Sequence, residues 1–266
     1  MESMFKHILV LYLFQDIDEE LKIRFMLYIA VGILVCISSV ICIFVFSSKD
    51  FRQKYIMYIA LSVGDLINGV SLLTAGIFRN LLLFQGQFFV KFTNMECLLH
   101  SPWAILFLFA GQFSALINFF IALERAVALQ FVGWYRIIWK NSYKLYLVAF
   151  SATLTVIFFL IAVITNWSYV RTNSSRLCAV MNSTGIIYGT VHYALIAVVY
   201  FLCFVVLLAI FRKTNKNHPP NNDELRRQRM MLAMTGFYVI LVSIPNIVLI
   251  ANEWATTQLD ALVVGE

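Results

Sequence analysis

The sequence predicts an all-α membrane protein whose body is six transmembrane helices. Of its 266 residues, 61% are apolar and only 13% carry charge, a composition far from that of a soluble domain. Six runs meet the roughly 18 apolar residues that a spanning helix requires. The basic residues gather in alternate connections between those runs, as they do in cytoplasmic loops.

The runs extend from about Phe25 to Ser48, Tyr55 to Phe78 and on to Phe84, Leu98 to Leu123, Leu145 to Val170, Ile186 to Phe211, and Met230 to Asn252. They form one domain, 25–252, with no repeat or low-complexity tract. Residues 1–24 read as a short tail. Their apolar stretch, Ile8 to Phe14, is followed by Asp16, Asp18, Glu19 and Glu20 with no small-residue cleavage site, so an uncleaved extracellular segment is expected rather than a signal peptide. Residues 253–266 hold no apolar run long enough to span and read as a short C-terminal tail.

Orientation follows from charge. Lys49, Arg52 and Lys54 follow the first run, Arg125, Arg136, Lys140 and Lys144 the third, and Arg212, Lys213, Lys216, Arg226, Arg227 and Arg229 the fifth. These hold most of the Lys and Arg, which places those connections in the cytoplasm and the N-terminus outside. The net charge of +6 belongs to the loops and implies no nucleic acid. The connection after the fourth run contains the acceptor triplets Asn173-Ser-Ser and Asn182-Ser-Thr, so glycosylation at Asn173 and Asn182 is expected if that loop is external. Cys36, Cys42 and Cys203 lie inside apolar runs as ordinary small hydrophobes. Cys97 and Cys178 stand at segment ends and can form one disulfide if both ends face an oxidising compartment.

The third run is expected to be the central one. From Cys97 to the pair Glu124-Arg125 lie 26 uncharged residues, roughly 40 Å as a helix. Gly111, Ser114, Ala115 and Asn118 form a small and polar stripe that suits a helix-facing surface. Asp65, in the second run, is the acid inside the hydrocarbon. Counting from Lys54 and back from Arg125, Asp65 and Ser114 share a depth of roughly 16 Å, so Ser114, Ser38 and Asn68 are candidate partners for an acid that is costly there. At the cytoplasmic end Arg125 either snorkels to headgroups or is held by Asp223 or Glu224 at the foot of the sixth run, as a lock. Pro245 removes a backbone hydrogen bond from that run and should kink it, whereas Pro102 reads as a residue of a helix's first turns. Phe107, Gly111, Gln112, His192 and Tyr193, with Trp103, Trp167 and Tyr188 nearby in sequence depth, form a candidate ligand pocket in the outer half. Interfacial anchoring explains Trp103 and Trp167 equally well.

Enzyme chemistry is not expected: the four histidines lack metal-ligand spacing, and no cofactor motif is present. A six-span transporter or channel with Asp65 in its path is the alternative, although matching broken helices in two halves are lacking.

Together, the half-cystine opening the third span, Leu61-Ser-Val-Gly-Asp65, the Glu124-Arg125 pair, Cys178 and Pro245 resemble a rhodopsin-like G-protein-coupled receptor. The stretches from Gly64 to Arg79, Met95-Glu-Cys97, and Ala122-Leu-Glu-Arg-Ala-Val-Ala-Leu with Trp134-Tyr-Arg136 resemble the nematode serpentine chemoreceptors of the Srsx class. The resemblance implies a heptahelical bundle at the plasma membrane, a Cys97–Cys178 disulfide, and a sodium-type allosteric site at Asp65 with Ser114 and Ser38. It also implies a small-molecule or peptide ligand in the outer half, a heterotrimeric G protein at the loops around Arg125, and a possible receptor dimer.

Several positions depart from that pattern. Ala126 follows the arginine where an aromatic is usual, Ser38 stands for Asn, Ser243 for Trp, and Cys97 lies about one turn too far from Arg125. Phe107 stands where amine receptors carry an acid, so an aminergic ligand is not expected. The seventh span is absent, so a truncated receptor with impaired signalling is expected, in which small-residue faces of the first two spans meet lipid and Asp65 lacks partners.

Overall fold

The computed structural model describes residues 2–49, 55–131, 133, 135, 137, 139–168, 170–173, 175–217 and 222–264. Nine α-helices are described. Six of these elements, or pairs of elements, are long and apolar enough to cross a membrane, between Asp18–Phe46, Ile56–Phe84, Pro102–Ala128, Ser142–Trp167, Ile186–Lys213 and Gln228–Ala255. The first lies in α1 (Glu2–Phe46), so the segment expected as a tail continues the first helix. The second is α2 (Ile56–Phe84). After it come strand β1 (Phe92–Thr93) and the short helix α3 (Asn94–His100), then α4 (Pro102–Gln130) and α5 (Asn141–Ser168). Strand β2 (Thr172–Asn173) and the short α6 (Val180–Thr184) lead into α7 (Ile186–Asn217). The last span is built from α8 (Asn222–Tyr238), a π-helical turn (Val239–Ser243) and α9 (Ile244–Val264).

The central position of the third span holds. Within its most apolar window 56% of α4 is buried, against 11–33% for the other spans, and α4 packs on α2, α5 and α7. The expected unbroken rod from Cys97 does not. The chain leaves helical geometry at Ser101 (φ −111°, ψ 90°), and α4 begins with Pro102 at its first position. A proline disfavours helical backbone in the residue before it and suits the start of a helix. Cys97 therefore sits in α3, a separate helix whose start is fixed by a reciprocal capping box between Thr93 and Glu96. This break accounts for the extra distance between Cys97 and Arg125.

The first two spans meet backbone to backbone. A Cβ added at Gly32 would fall 2.9 Å from the Leu73 nitrogen, one at Gly69 3.0 Å from the Cys36 nitrogen, and one at Gly76 2.8 Å from the Phe25 carbonyl oxygen. Contrary to expectation, these small residues face each other rather than lipid. In a bilayer, close van der Waals packing of this kind replaces the hydrophobic drive of a soluble core.

The connections at the Cys97 end of the bundle form a cap. Strands β1 and β2 pair antiparallel, Phe92 with Asn173 and Thr93 with Thr172. Cys97 and Cys178 are disulfide-bonded. Asn94 and Asn166 share an amide hydrogen bond, and Asn166 Nδ2 donates to the Ser183 carbonyl at 2.6 Å. Trp103 Nε1 donates to the Cys178 carbonyl at 3.2 Å. The connection bearing Asn173 thus lies at the end of α4 opposite Arg125. Asn173 is itself buried, and its Nδ2 donates to the Asn182 carbonyl at 2.9 Å, so the nitrogen that a glycan needs is already used in the folded chain.

The final span solves its proline differently from a simple kink. Pro245 cannot donate, and its ring would crowd the carbonyl four residues earlier. The preceding turn widens, with Ile244 N–H bonding to the Val239 carbonyl five residues back, a π-bulge of the kind that absorbs such irregularities.

Candidate functional site

A polar cluster lies in the middle of the bundle. Gly64 leaves room beside it, since a Cβ there would clash with Ser114 Oγ. Ser114 Oγ donates to Asp65 Oδ1 at 3.5 Å. Tyr238, the last residue of α8, donates to Asp65 Oδ2 at 3.4 Å. Tyr238 also stacks on Tyr200 of α7, with centroids 5.0 Å apart and planes 11° apart. Asn118 Nδ2 donates to the Ser114 carbonyl at 3.1 Å and to the Tyr200 hydroxyl at 3.5 Å. Four spans therefore converge on one carboxylate, as an intramembrane acid requires.

Of the expected partners, Ser114 is present and Ser38 is not. Ser38 is exposed, and its hydroxyl bonds the Val35 carbonyl of its own helix at 3.0 Å. The buried serine of α1 is its neighbour, Ser39. The two carboxylate oxygens of Asp65 instead take Ser114 and Tyr238. Among the described residues no group of three His, Cys, Asp or Glu could hold a metal ion.

Below the cluster a cavity of about 70 Å³ runs from Asn118 and Tyr238 to Arg125, with Tyr58, Leu61, Ile121, Leu207, Met234 and Thr235 in its wall. Arg125 hydrogen-bonds the Tyr58 hydroxyl, and its buried Nε has no hydrogen-bond partner among the described residues. The neighbouring Glu124 is turned away. It is 4% exposed, pairs with Lys144 Nζ of α5 at 3.0 Å, and accepts the Tyr135 hydroxyl at 2.7 Å. Burial and that carboxylate raise the Tyr135 hydroxyl well above its ordinary range. On a helix, consecutive residues point about 100° apart, so the expected Glu124–Arg125 unit is two separate contacts. The side chains of Asp223 and Glu224 lie outside the described residues.

No protein-family model and no curated protein matches this chain.

In the outer half the expected pocket residues are neighbours. Gln112 Nε2 donates to the Tyr188 hydroxyl and to His192 Nδ1, both at 3.0 Å, and Tyr188 donates to the Phe158 carbonyl at 2.8 Å. Gln112 Oε1 is buried without a hydrogen-bond partner among the described residues. His192 meets Tyr193 edge to face at 5.2 Å, and a Cβ at Gly111 would lie 3.5 Å from His192 Nε2. Phe107 packs on the clusters of Trp103 and of Tyr188. Trp167 is 75% exposed and belongs to the anchoring role instead. His192, Ile196 and Tyr200 recur every fourth residue along one face of α7. Ile196 and Tyr200 pack with Ala115, Tyr238 and the π turn, so this face joins the outer polar group to the Asp65 cluster.

Tyr238, Tyr200, Tyr58, Lys144 and Tyr135 escaped the sequence reading. A signal existed for Tyr238. Nine residues past Arg229, roughly 14 Å of helix, it lies at nearly the depth counted for Asp65.

Proposed function

We propose that the chain is a chemosensory G-protein-coupled receptor of the plasma membrane, N-terminus outside, that binds a small molecule or peptide in the outer half of the bundle. The single observation that carries this reading is the continuity of the Asp65 cluster with the cavity at Arg125, beneath a disulfide-stapled outer cap. Ligand pressing on Phe107, His192 and Tyr193 shifts α7 along its His192–Ile196–Tyr200 face. Tyr200 and Tyr238 are stacked, so the shift reaches α8 at the point where its π turn offers a flexible joint. Movement of Tyr238 loosens the Asp65 contacts and opens the cavity wall formed by Met234 and Thr235. The guanidinium of Arg125, with a free Nε–H toward that cavity, then becomes available to a heterotrimeric G protein at the cytoplasmic loops.

The test is G-protein dissociation measured by resonance energy transfer in cells expressing the full chain, challenged with a chemically diverse panel of small molecules. A ligand response that is lost in Arg125→Ala and altered in Asp65→Asn supports the receptor. An ion current or solute flux that disappears in Asp65→Asn, with no G-protein response to any compound, replaces it with the transporter or channel reading.

A further inference from the structure

Arg79, near the outer end of α2, is a buried cation that the preceding scheme leaves unused. It is 4% exposed. Its Nε donates to the Leu177 carbonyl of the outer connection at 2.8 Å. Its guanidinium carbon lies 5.9 Å from the Phe25 ring centroid, 5.6 Å from Tyr28 and 5.9 Å from Trp103, and it reaches the Tyr28 hydroxyl. A guanidinium has five N–H donors in a planar fork, more than the Leu177 carbonyl and the Tyr28 hydroxyl can take up among the described residues. The ion pairs of the described residues are Arg24–Glu20 and Lys144–Glu124; neither involves Arg79.

Holding one backbone carbonyl requires a single neutral donor, which a glutamine or tryptophan supplies without placing a charge in an apolar site. Aromatic faces compensate part of the cost of the charge, and an ionisable side chain held among membrane-spanning helices is a functional-site candidate in its own right. The guanidinium is within electrostatic reach of Tyr193 and in contact distance of Trp103, whose cluster includes Phe107. Arg79 thus forms a cationic end to the same outer region whose other end is the neutral amide of Gln112.

We infer that Arg79 is the anion-binding group of the outer site, and that the ligand is a small organic carboxylate with an apolar or aromatic body. The carboxylate takes the fork of Arg79 in two parallel N–H···O bonds, and the body lies against Trp103, Phe107 and Tyr193. The physiological meaning of this site rests on the receptor reading, but the binding chemistry does not.

The experiment uses the purified full chain in detergent and reads its melting temperature with phenylacetate, indole-3-acetate and hexanoate, each beside its methyl ester and its corresponding primary amine. At least one acid is expected to raise the melting temperature, with its ester and amine at least tenfold weaker. In Arg79→Gln the acid effect should vanish, and in Arg79→Lys, which keeps the charge without the fork, it should weaken by about tenfold. Equal effects of acids and esters on the unaltered chain, no effect of any acid, or an undiminished effect in Arg79→Gln each overturn the inference. The acid-against-ester comparison stands even where Arg79→Gln fails to fold. Acid binding without any G-protein response in cells sinks the receptor reading and leaves the anion site. A G-protein response to neutral or cationic compounds that is unchanged in Arg79→Gln does the reverse.

Discussion

Tyr238 and Asp65, 173 residues apart in sequence, meet through a phenolic hydrogen bond of 3.4 Å that ties the middle of the last span to the second. Asp65 Oδ2 would otherwise face a helix gap, and the sequence led us to expect an acid short of partners. The donor comes from α8 because Tyr238 sits at the boundary where the α-helix gives way to the π turn. Removing it in Tyr238→Phe should lower stability by about 0.6–1.7 kcal/mol, the range found for hydrogen bonds between membrane helices. A double-mutant cycle with Asp65→Asn, read by thermal melting in detergent, checks the assignment. Additive effects would show that the two side chains do not interact.

The parts of this fold that the sequence discloses are those set by composition and by charge. Six apolar runs become six helices long and apolar enough to cross a membrane, the length that lipid demands, and Cys97 and Cys178, both at segment ends, meet at one end of the bundle. Depth counting found Ser114 opposite Asp65 because both residues lie on straight helix. It erred on Ser38, since depth fixes height and not the face of the helix, and the inward serine is the next one, Ser39. The break at Ser101 was hidden by an apolar run that continues through it, although Pro102 marked the place. The division of labour between Glu124 and Arg125 needed Lys144 and Tyr135, whose reach across to α4 is a property of the assembled bundle.

The glycine contacts between α1 and α2 give a graded test. At Gly76 a methyl would press on the Phe25 carbonyl oxygen and the Ile29 nitrogen, and at Gly69 on the Cys36 nitrogen, backbone atoms that cannot move away without parting the helices. Gly76→Ala and Gly69→Ala should each cost about 1–3 kcal/mol, the usual penalty of overpacking. Gly133→Ala, with nothing within 4 Å, should be silent. Melting of the three purified variants decides it, and a neutral Gly76→Ala would mean that the two helices are not in backbone contact.

The capping box at α3 predicts a pH dependence. Hydrogen bonds from the Thr93 backbone and side chain hold the Glu96 carboxyl below its ordinary range. A folded pKa below the unfolded one means that the cap is fully formed above the unfolded carboxylate range of about 4.3 and is lost as pH falls through the folded value. Hydrogen exchange in residues 94–100 should therefore accelerate, relative to α4, as pH drops below that range. In Glu96→Gln the added acid sensitivity should be absent.

Lys144 and Glu124 form a buried ion pair at the Arg125 end of the bundle, and their environment sets the size of its loss. Both side chains are nearly sealed from solvent, at 9% and 5% exposure, so solvent does not screen them as it screens Arg24–Glu20, whose side chains are more than 60% exposed. Lys144→Ala leaves Glu124 with the Tyr135 hydroxyl alone and should cost about 3–5 kcal/mol, as breaking a buried pair from one side does. Glu124→Gln removes the negative charge from the pair but keeps an acceptor for Tyr135, and should cost less. Arg24→Ala should fall within about 1 kcal/mol of the unaltered chain. Because Arg125 hydrogen-bonds Tyr58 and the ion pair of Glu124 is with Lys144, the two effects separate. Glu124→Gln should lower melting temperature while leaving any G-protein response dependent on Arg125, whereas Arg125→Ala should abolish the response with little change in melting. If both substitutions instead produced the same loss of stability and of signal, the two side chains would be one ionic unit after all, and the separation seen between them would be wrong.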